Sequence, residues 1–263
     1  TTARMISRIP GVTAIVRVPR RLTPLAQVMQ MVSSDLTKIL AATLGACFFY
    51  GGLAEMMRPS DPHPGLEDDE LQEALRGDWD HEKLSYYSAR KHLFSNVDGD
   101  GRKAEGRYTG EKIEYFSQPL PNTGNMEHAW SITRLPAAAR TDLHHTFPVI
   151  PEAKVARLNL HYGTVRVPVW ERGGSRSGPG SRVKPVFEVR SKYQGDVARA
   201  MFYVATMYEL DIPDAEEEVL RDWHRQDSVD RAERKRNDKI QKLQKSRNPF
   251  VDHPGLTKRI SDF

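Results

Sequence analysis

Glu127 and His128 stand side by side in the run NMEHAW at 125–130, and Asp142, His144 and His145 follow in TDLHHTFP at 141–148. Adjacent residues on a strand point to opposite faces, so Glu127 and His128 are free to take separate jobs. A carboxylate ligates a hard cation, and an imidazole with no activating thiol or serine suits a general base acting on water. That division of labour serves phosphodiester hydrolysis. The reaction needs a base for the water, a cation for the charge on the leaving oxygen, and cationic donors for the phosphate. A Glu-His dipeptide is by itself usually solvated or structural, and paired histidines more often pack than ligate. Their weight comes from the company they keep along the chain.

The elements that must hold these residues are legible in outline. Residues 82–94 have helical spacing, 96–106 read as a polar loop and 107–116 as a strand. Two strand-like runs, 165–170 and 183–189, flank ERGGSRSGPGS at 171–181, whose glycines and serines predict a flexible surface loop. The stretch 196–210 repeats apolar residues at helical spacing and predicts a core helix, and 214–243 is helix-rich and strongly charged. In RNPF at 247–250, Pro249 is expected to end a helix and Phe250 to pack beneath it. Ahead of all this, 60–81 is acidic and rich in Pro and Gly, the composition of a linker.

The first 59 residues differ from the rest, with seven Arg or Lys against the two acids Asp35 and Glu55. Their apolar run at 39–54 makes about 24 Å of helix, short of a ~30 Å hydrocarbon core, and extending it to 57 gives a marginal span. A helix packed on a protein partner, a membrane span or anchor, and an uncleaved export signal all fit it. The Arg-rich, acid-poor leader also has an organelle-targeting composition.

Composition narrows the classes. The chain has 263 residues, 28% charged and 38% hydrophobic, with a net charge of +4 and a single cysteine, Cys47. One cysteine excludes an internal disulfide framework and a cysteine zinc site. The basic balance, with a pI near 9.1, suits a phosphate-bearing partner. NVDGDGRKAEGR at 96–107 begins like a calcium-binding loop, but its twelfth residue is Arg107 where a bidentate Glu is needed. GRYTGEK at 106–112 lacks the spacing of a phosphate-binding loop.

The order EHAW, DLHHTFP, then a helix bearing Asn and Arg resembles the ββα-metal (His-Me finger) core of the bacterial endonuclease I family. QGDVARAMFY at 194–203, LRDWHRQDSVDRAERKRNDKI at 220–240 and QKSRNPFVDHP at 244–254 resemble that family's C-terminal half, and SYYSARKHLFSNVDGDG at 85–101 its N-terminal helix and loop. The resemblance covers roughly 170 residues. It implies an α+β fold, mostly helical around the finger motif, over 82–254, with a tail at 255–263. It also implies sequence-non-specific cleavage of DNA, and often of RNA, with Mg²⁺ or a similar cation. Carried over by position, His128 is the general base and Glu127 a metal ligand, while Asp142, His144 and His145 support the finger. Arg157 is a candidate catalytic clamp, since a guanidinium offers a phosphate two parallel donors. Arg134, Arg140, Arg236 and Arg247 are further phosphate-binding candidates. The last two lie in the basic run 231–247, eight Arg or Lys against two acids, which suits either phosphate contact or a solvated helix face.

One position departs from the family. Where it has a metal-ligating Asn, this chain has Lys154, and a protonated ammonium repels a cation. Asn159 or a water completes the metal shell, or Lys154 replaces the metal's charge directly, or metal binding and catalysis are lost. The last outcome defines a rival reading, a degenerate nuclease fold serving as a structural or accessory subunit of a larger membrane or mitochondrial assembly. A nucleic-acid-binding module without catalysis is a second rival. The family implies a periplasmic or extracellular location, whereas the leader also suits a mitochondrion or a membrane.

Overall fold

A computed structural model describes residues 61–114, 124–181 and 184–263. The extension 1–59, with its apolar run at 39–57, lies outside the described residues. Helix α1 (Asp68–Gly77) opens on three acids and closes on Arg76, charges that complement the helix dipole. Leu71 and Leu75, one turn apart, are buried. Arg76 donates to the Thr206 carbonyl and Trp79 to the Tyr203 hydroxyl. The stretch whose composition marks a linker therefore contains a docked helix. Two leucines at i and i+4 give it an apolar face despite the surrounding charge.

Helix α2 (Tyr86–His92) is capped by Ser85, whose side chain accepts from the Ser88 amide. It continues into a π turn, Leu93–Val97, that buries Leu93, Phe94 and Val97. Strands β1 (Lys103–Glu105) and β2 (Lys112–Glu114) form a small antiparallel pair. Among the described residues, the strand expected over 107–116 is thus confined to Lys112–Glu114.

Strand β3 (Asn125–His128) pairs antiparallel with β4 (Thr146–Val149), placing Glu127 opposite Phe147 and His128 opposite Thr146. The chain passes from β4 directly into α3 (Pro151–Arg157), with Pro151 in the first turn where its missing N–H costs no helix bond.

A second sheet has the order β5 (His161–Tyr162), β8 (Pro185–Glu188), β7 (Ser175–Pro179), β6 (Trp170–Arg172), parallel only between β5 and β8. Gly173 and Gly174, at φ 60° and 90°, make the two-residue turn between β6 and β7. Positive φ at both turn positions matches the twist of a tight hairpin. The glycine-rich run expected as a flexible loop is therefore largely a hairpin. A side chain at Gly173 would also meet the Thr109 carbonyl oxygen at 2.0 Å.

Helix α4 (Gln194–Tyr208) is buried along almost its whole length, as its apolar spacing predicts. Helices α5 (Asp214–Gln226) and α6 (Arg231–Gln244) follow. Pro249 opens the short α7 (Pro249–Asp252), with Asn248 as its cap, where RNPF suggested a helix end; Phe250 is buried as expected. The segment 255–263 is no free tail. Leu256, Ile260 and Phe263 are buried, and the Phe263 ring lies 4.4 Å from that of Phe202 and 5.4 Å from that of Phe250. Arg221 ties it down, donating to the Thr257 and Ile260 carbonyls. The result is an α+β fold of helices with small sheets. No helix among the described residues is long and apolar enough to cross a membrane.

Candidate active site

The β3–β4 hairpin and α3 enclose a cleft of about 390 Å³ whose lining includes Glu127, His128, Ser131, Lys154 and Asn159. The hairpin register puts Glu127 and His128 at the end of β3, and α3 brings Lys154 across from them. Ala153 is wholly buried on α3, which fixes the helix and leaves its next residue at the cleft.

His128 is almost fully buried. Its Nε2 lies 2.9 Å from the Arg140 carbonyl oxygen. A carbonyl only accepts, so Nε2 carries the proton and Nδ1 is left as the bare nitrogen. Burial, with the neighbouring His145 acting in the same direction, pushes the imidazole down to about 4. It is therefore neutral at pH 7, the form a base requires.

Glu127 is also buried, and burial lifts its carboxyl above the usual range against the pull of Lys154 and Arg157. The Lys154 ammonium lies 3.4 Å from Glu127 Oε2 and donates to the Met126 carbonyl at 3.1 Å. Asn159 is nearby but engaged, its Oδ1 accepting from Ser131 Oγ at 2.6 Å.

This donor set does not fit a divalent cation. Such an ion is held by carboxylates, neutral carbonyls and waters, and a protonated amine at the same oxygens repels it. The described residues contain no group of three or more His, Cys, Asp or Glu able to hold one. Among the described residues, the single carboxylate lining the cleft already faces an ammonium.

The supporting residues sit beneath the site. Asp142 is fully buried and accepts from the His144 amide and from the Tyr203 and Tyr208 hydroxyls at 2.8 and 2.9 Å. His144 Nε2 meets the Ser246 carbonyl at 3.1 Å, and His145 Nε2 the Ala139 carbonyl at 2.7 Å. Both rings hold the turns that carry the chain from β3 to β4, and the His145 ring lies 5.5 Å from that of His128.

The arginines divide sharply. Arg134 and Arg140 are exposed, and Arg134 stacks over Trp130, a cleft-lining residue, at 5.7 Å. Arg157 is almost wholly buried, donates to the Ala129 and Leu160 carbonyls, and lies 4.2 Å over the Tyr162 ring. A guanidinium committed in this way cannot fork a phosphate, so Arg157 is a strut under β3 and not a clamp. Arg236 is likewise buried, pairing with Asp98 and donating to the Leu143 and Thr146 carbonyls. Arg247 is held by Asp252 and Asp238. Neither is free for a phosphate.

Replacing Arg157 by Met keeps much of its volume but strands two buried carbonyls. We expect a loss of about 3 kcal/mol of stability in urea denaturation. A loss below about 1 kcal/mol, with nucleic-acid binding weakened instead, would return Arg157 to the clamp role.

Trp130, the last residue of NMEHAW, also lines the cleft, as do Ser131, Ile132, Val155 and Leu158, which lie outside the motifs. Ser131 directly follows EHAW, and that adjacency is the sequence signal for it. Leu158, at φ 44°, depends on how α3 ends.

A family model described as Endonuclease I matches residues 78–255. The chain is 35% identical over 155 residues to the extracellular ribonuclease of Bacillus subtilis (strain 168), a match covering 49% of this chain and 51% of that protein. It is 33% identical over 155 residues to the extracellular ribonuclease of Bacillus amyloliquefaciens, with the same coverage. An extracellular deoxyribonuclease of Aeromonas hydrophila is 29% identical over 111 residues, 42% of this chain and 48% of that one. The chain spans about half the length of these curated relatives.

Proposed function

The chain belongs to the endonuclease I family, and from that premise we propose that it hydrolyses phosphodiester bonds of RNA or DNA, with His128 as the general base. The observation that carries the reading is the bond between His128 Nε2 and the Arg140 carbonyl. It fixes the tautomer and leaves Nδ1 to take a proton from water beside the cleft. The β3–β4–α3 arrangement is read as the finger motif, with Asp142, His144 and His145 as its struts. Arg134 and Arg140, both exposed, are the cations offered to phosphate. Contacts of that kind hold a backbone without reading bases, so cleavage is independent of sequence. Relatives named as ribonucleases and as deoxyribonucleases make both polymers substrates to test.

The test is degradation of plasmid DNA and of single-stranded RNA by the purified full chain and by its His128→Ala variant. Cleavage by the wild type and at least a hundredfold slower cleavage by the variant are expected, the scale of a lost general base. Intact polymers after incubation with folded wild-type protein would sink the hydrolase reading and favour the non-catalytic rival.

A further inference from the structure

We infer that the Lys154 ammonium is the resident cation of this cleft, standing beside Glu127 where a divalent ion would have to stand, so that the site works without a metal. The inference rests on the hydrolase reading for its chemistry, but its claim about which cation Glu127 faces is independent of turnover. Three observations carry it. Lys154 Nζ is held from two directions, 3.4 Å from Glu127 Oε2 and 3.1 Å from the Met126 carbonyl. Among the described residues, Glu127 is the single carboxylate lining the cleft. Of the two amide side chains lining the cleft, Asn125 and Asn159, the one that matches an Asn of the family pattern, Asn159, already accepts at Oδ1 from Ser131 at 2.6 Å.

A divalent ion bound to Glu127 needs a carboxylate oxygen at about 2.0–2.6 Å. That position lies against an ammonium with three donors and no acceptor, which repels the ion and offers it nothing. The Lys154 side chain keeps contact with water while its ammonium faces the cleft.

The chemistry balances without a metal. Water oxygen forms a bond to phosphorus as its proton passes to His128 Nδ1. The bond from phosphorus to the leaving oxygen breaks, and that oxygen departs with the electron pair beside the ammonium. It then takes a proton from solvent, and His128 returns its own to solvent. The ammonium carries one positive charge where a metal carries two, and Glu127 cancels it. The site therefore stabilises the leaving oxygen less than a metal on the same carboxylate would.

The test has two arms. In the first, Mn²⁺ is titrated into the full chain and into Glu127→Gln, Lys154→Asn, Lys154→Gln and Lys154→Asn/Glu127→Gln, and followed by electron paramagnetic resonance. Expected is no stoichiometric site in the wild type. Lys154→Asn or Lys154→Gln should bind Mn²⁺ at least tenfold more tightly, and the double variant should lose that gain. In the second arm, wild-type cleavage of plasmid and RNA is compared in EDTA and in Mg²⁺, and equal rates are expected.

A wild-type Mn²⁺ site that Glu127→Gln removes, or no gain in either lysine variant, overturns the inference, as does cleavage abolished by EDTA. Any cleavage leaves the hydrolase reading standing. If the wild type cleaves neither polymer, that reading falls, and the Mn²⁺ arm alone decides what Glu127 faces.

Discussion

Arg199→Met should cost about 4 kcal/mol of folding stability, most of what a marginal domain can lose. Arg199 lies in α4 with no exposure to solvent. Its Nε and Nη2 each donate at 2.7 Å to one oxygen of Glu233 in α6, and Nη1 donates to the Asp227 carbonyl at 2.8 Å. Asp196, one turn earlier, stands 3.7 Å from the same guanidinium. Burial and Asp196 push Glu233 upward while the Arg199 fork pulls it down. With both carboxylate oxygens accepting at 2.7 Å, the fork offsets only part of that push, and the net is a carboxyl raised to about 7.

Removing the arginine leaves a buried carboxyl without its cation and its donors, so it either stays charged and unpaired or takes up a proton with its oxygens unsatisfied, and both outcomes are costly. Lysine should not rescue it, since a point charge cannot reproduce two parallel donors. Arg199→Met/Glu233→Leu should recover part of the loss, because removing both partners also removes the desolvation penalty. Urea midpoints for the two single variants and the double variant check this. A single-variant cost below about 1 kcal/mol would mean the pair contributes little.

Stability should also fall as the solution is acidified from about pH 6.5 toward pH 4 through the histidines under the site. Burial pushes His128 and His144 each down to about 4, despite the Asp142 carboxylate that pulls His144 upward. Burial lowers His145 as well. In the unfolded chain a histidine takes its proton near 6.5. Between 6.5 and about 4 the unfolded state thus binds more protons than the folded one. The histidine contribution is complete above the unfolded value and is lost as pH falls through the folded value. A shift of this size corresponds to about 3 kcal/mol per ring.

Carboxyls work partly against this. Burial lifts Glu127, Asp196 and Asp227 and raises Glu233 to about 7, so in the folded state they take up protons earlier and regain some stability over the same range. A variant comparison separates the two. His144→Gln keeps a donor for the Ser246 carbonyl and removes the titrating group. Its stability difference from wild type should shift in its favour by about 3 kcal/mol between pH 7 and pH 4. A difference that stays constant across that range would show that His144 does not titrate with folding.

The sequence by itself determined the family and the α+β class, and it singled out Glu127 and His128, which the fold places in one cleft. Glu127, His128, Asp142, His144 and His145 lie in short, ordered motifs whose residue types carry their chemistry wherever the chain places them. The helix at α4 was equally legible, because apolar residues at helical spacing have one outcome in water, which is burial.

Tertiary structure decided the arginines. A guanidinium reads the same in sequence whether it forks a phosphate or props up a strand. Only packing puts Arg157 on the Tyr162 face, Arg236 against Asp98 and Arg199 against Glu233, while Arg134 and Arg140 stay at the surface. Composition misjudged 60–81 and 255–263 for a related reason. Leu71, Leu75, Ile260 and Phe263 are few among polar neighbours, and their burial depends on partners far away in the chain. Lys154 combines both lessons. Its departure from the family was visible as a letter, but its meeting with Glu127 depends on α3 folding back across β3. Two residues 27 positions apart in sequence can be judged as an ion pair only once that crossing is known.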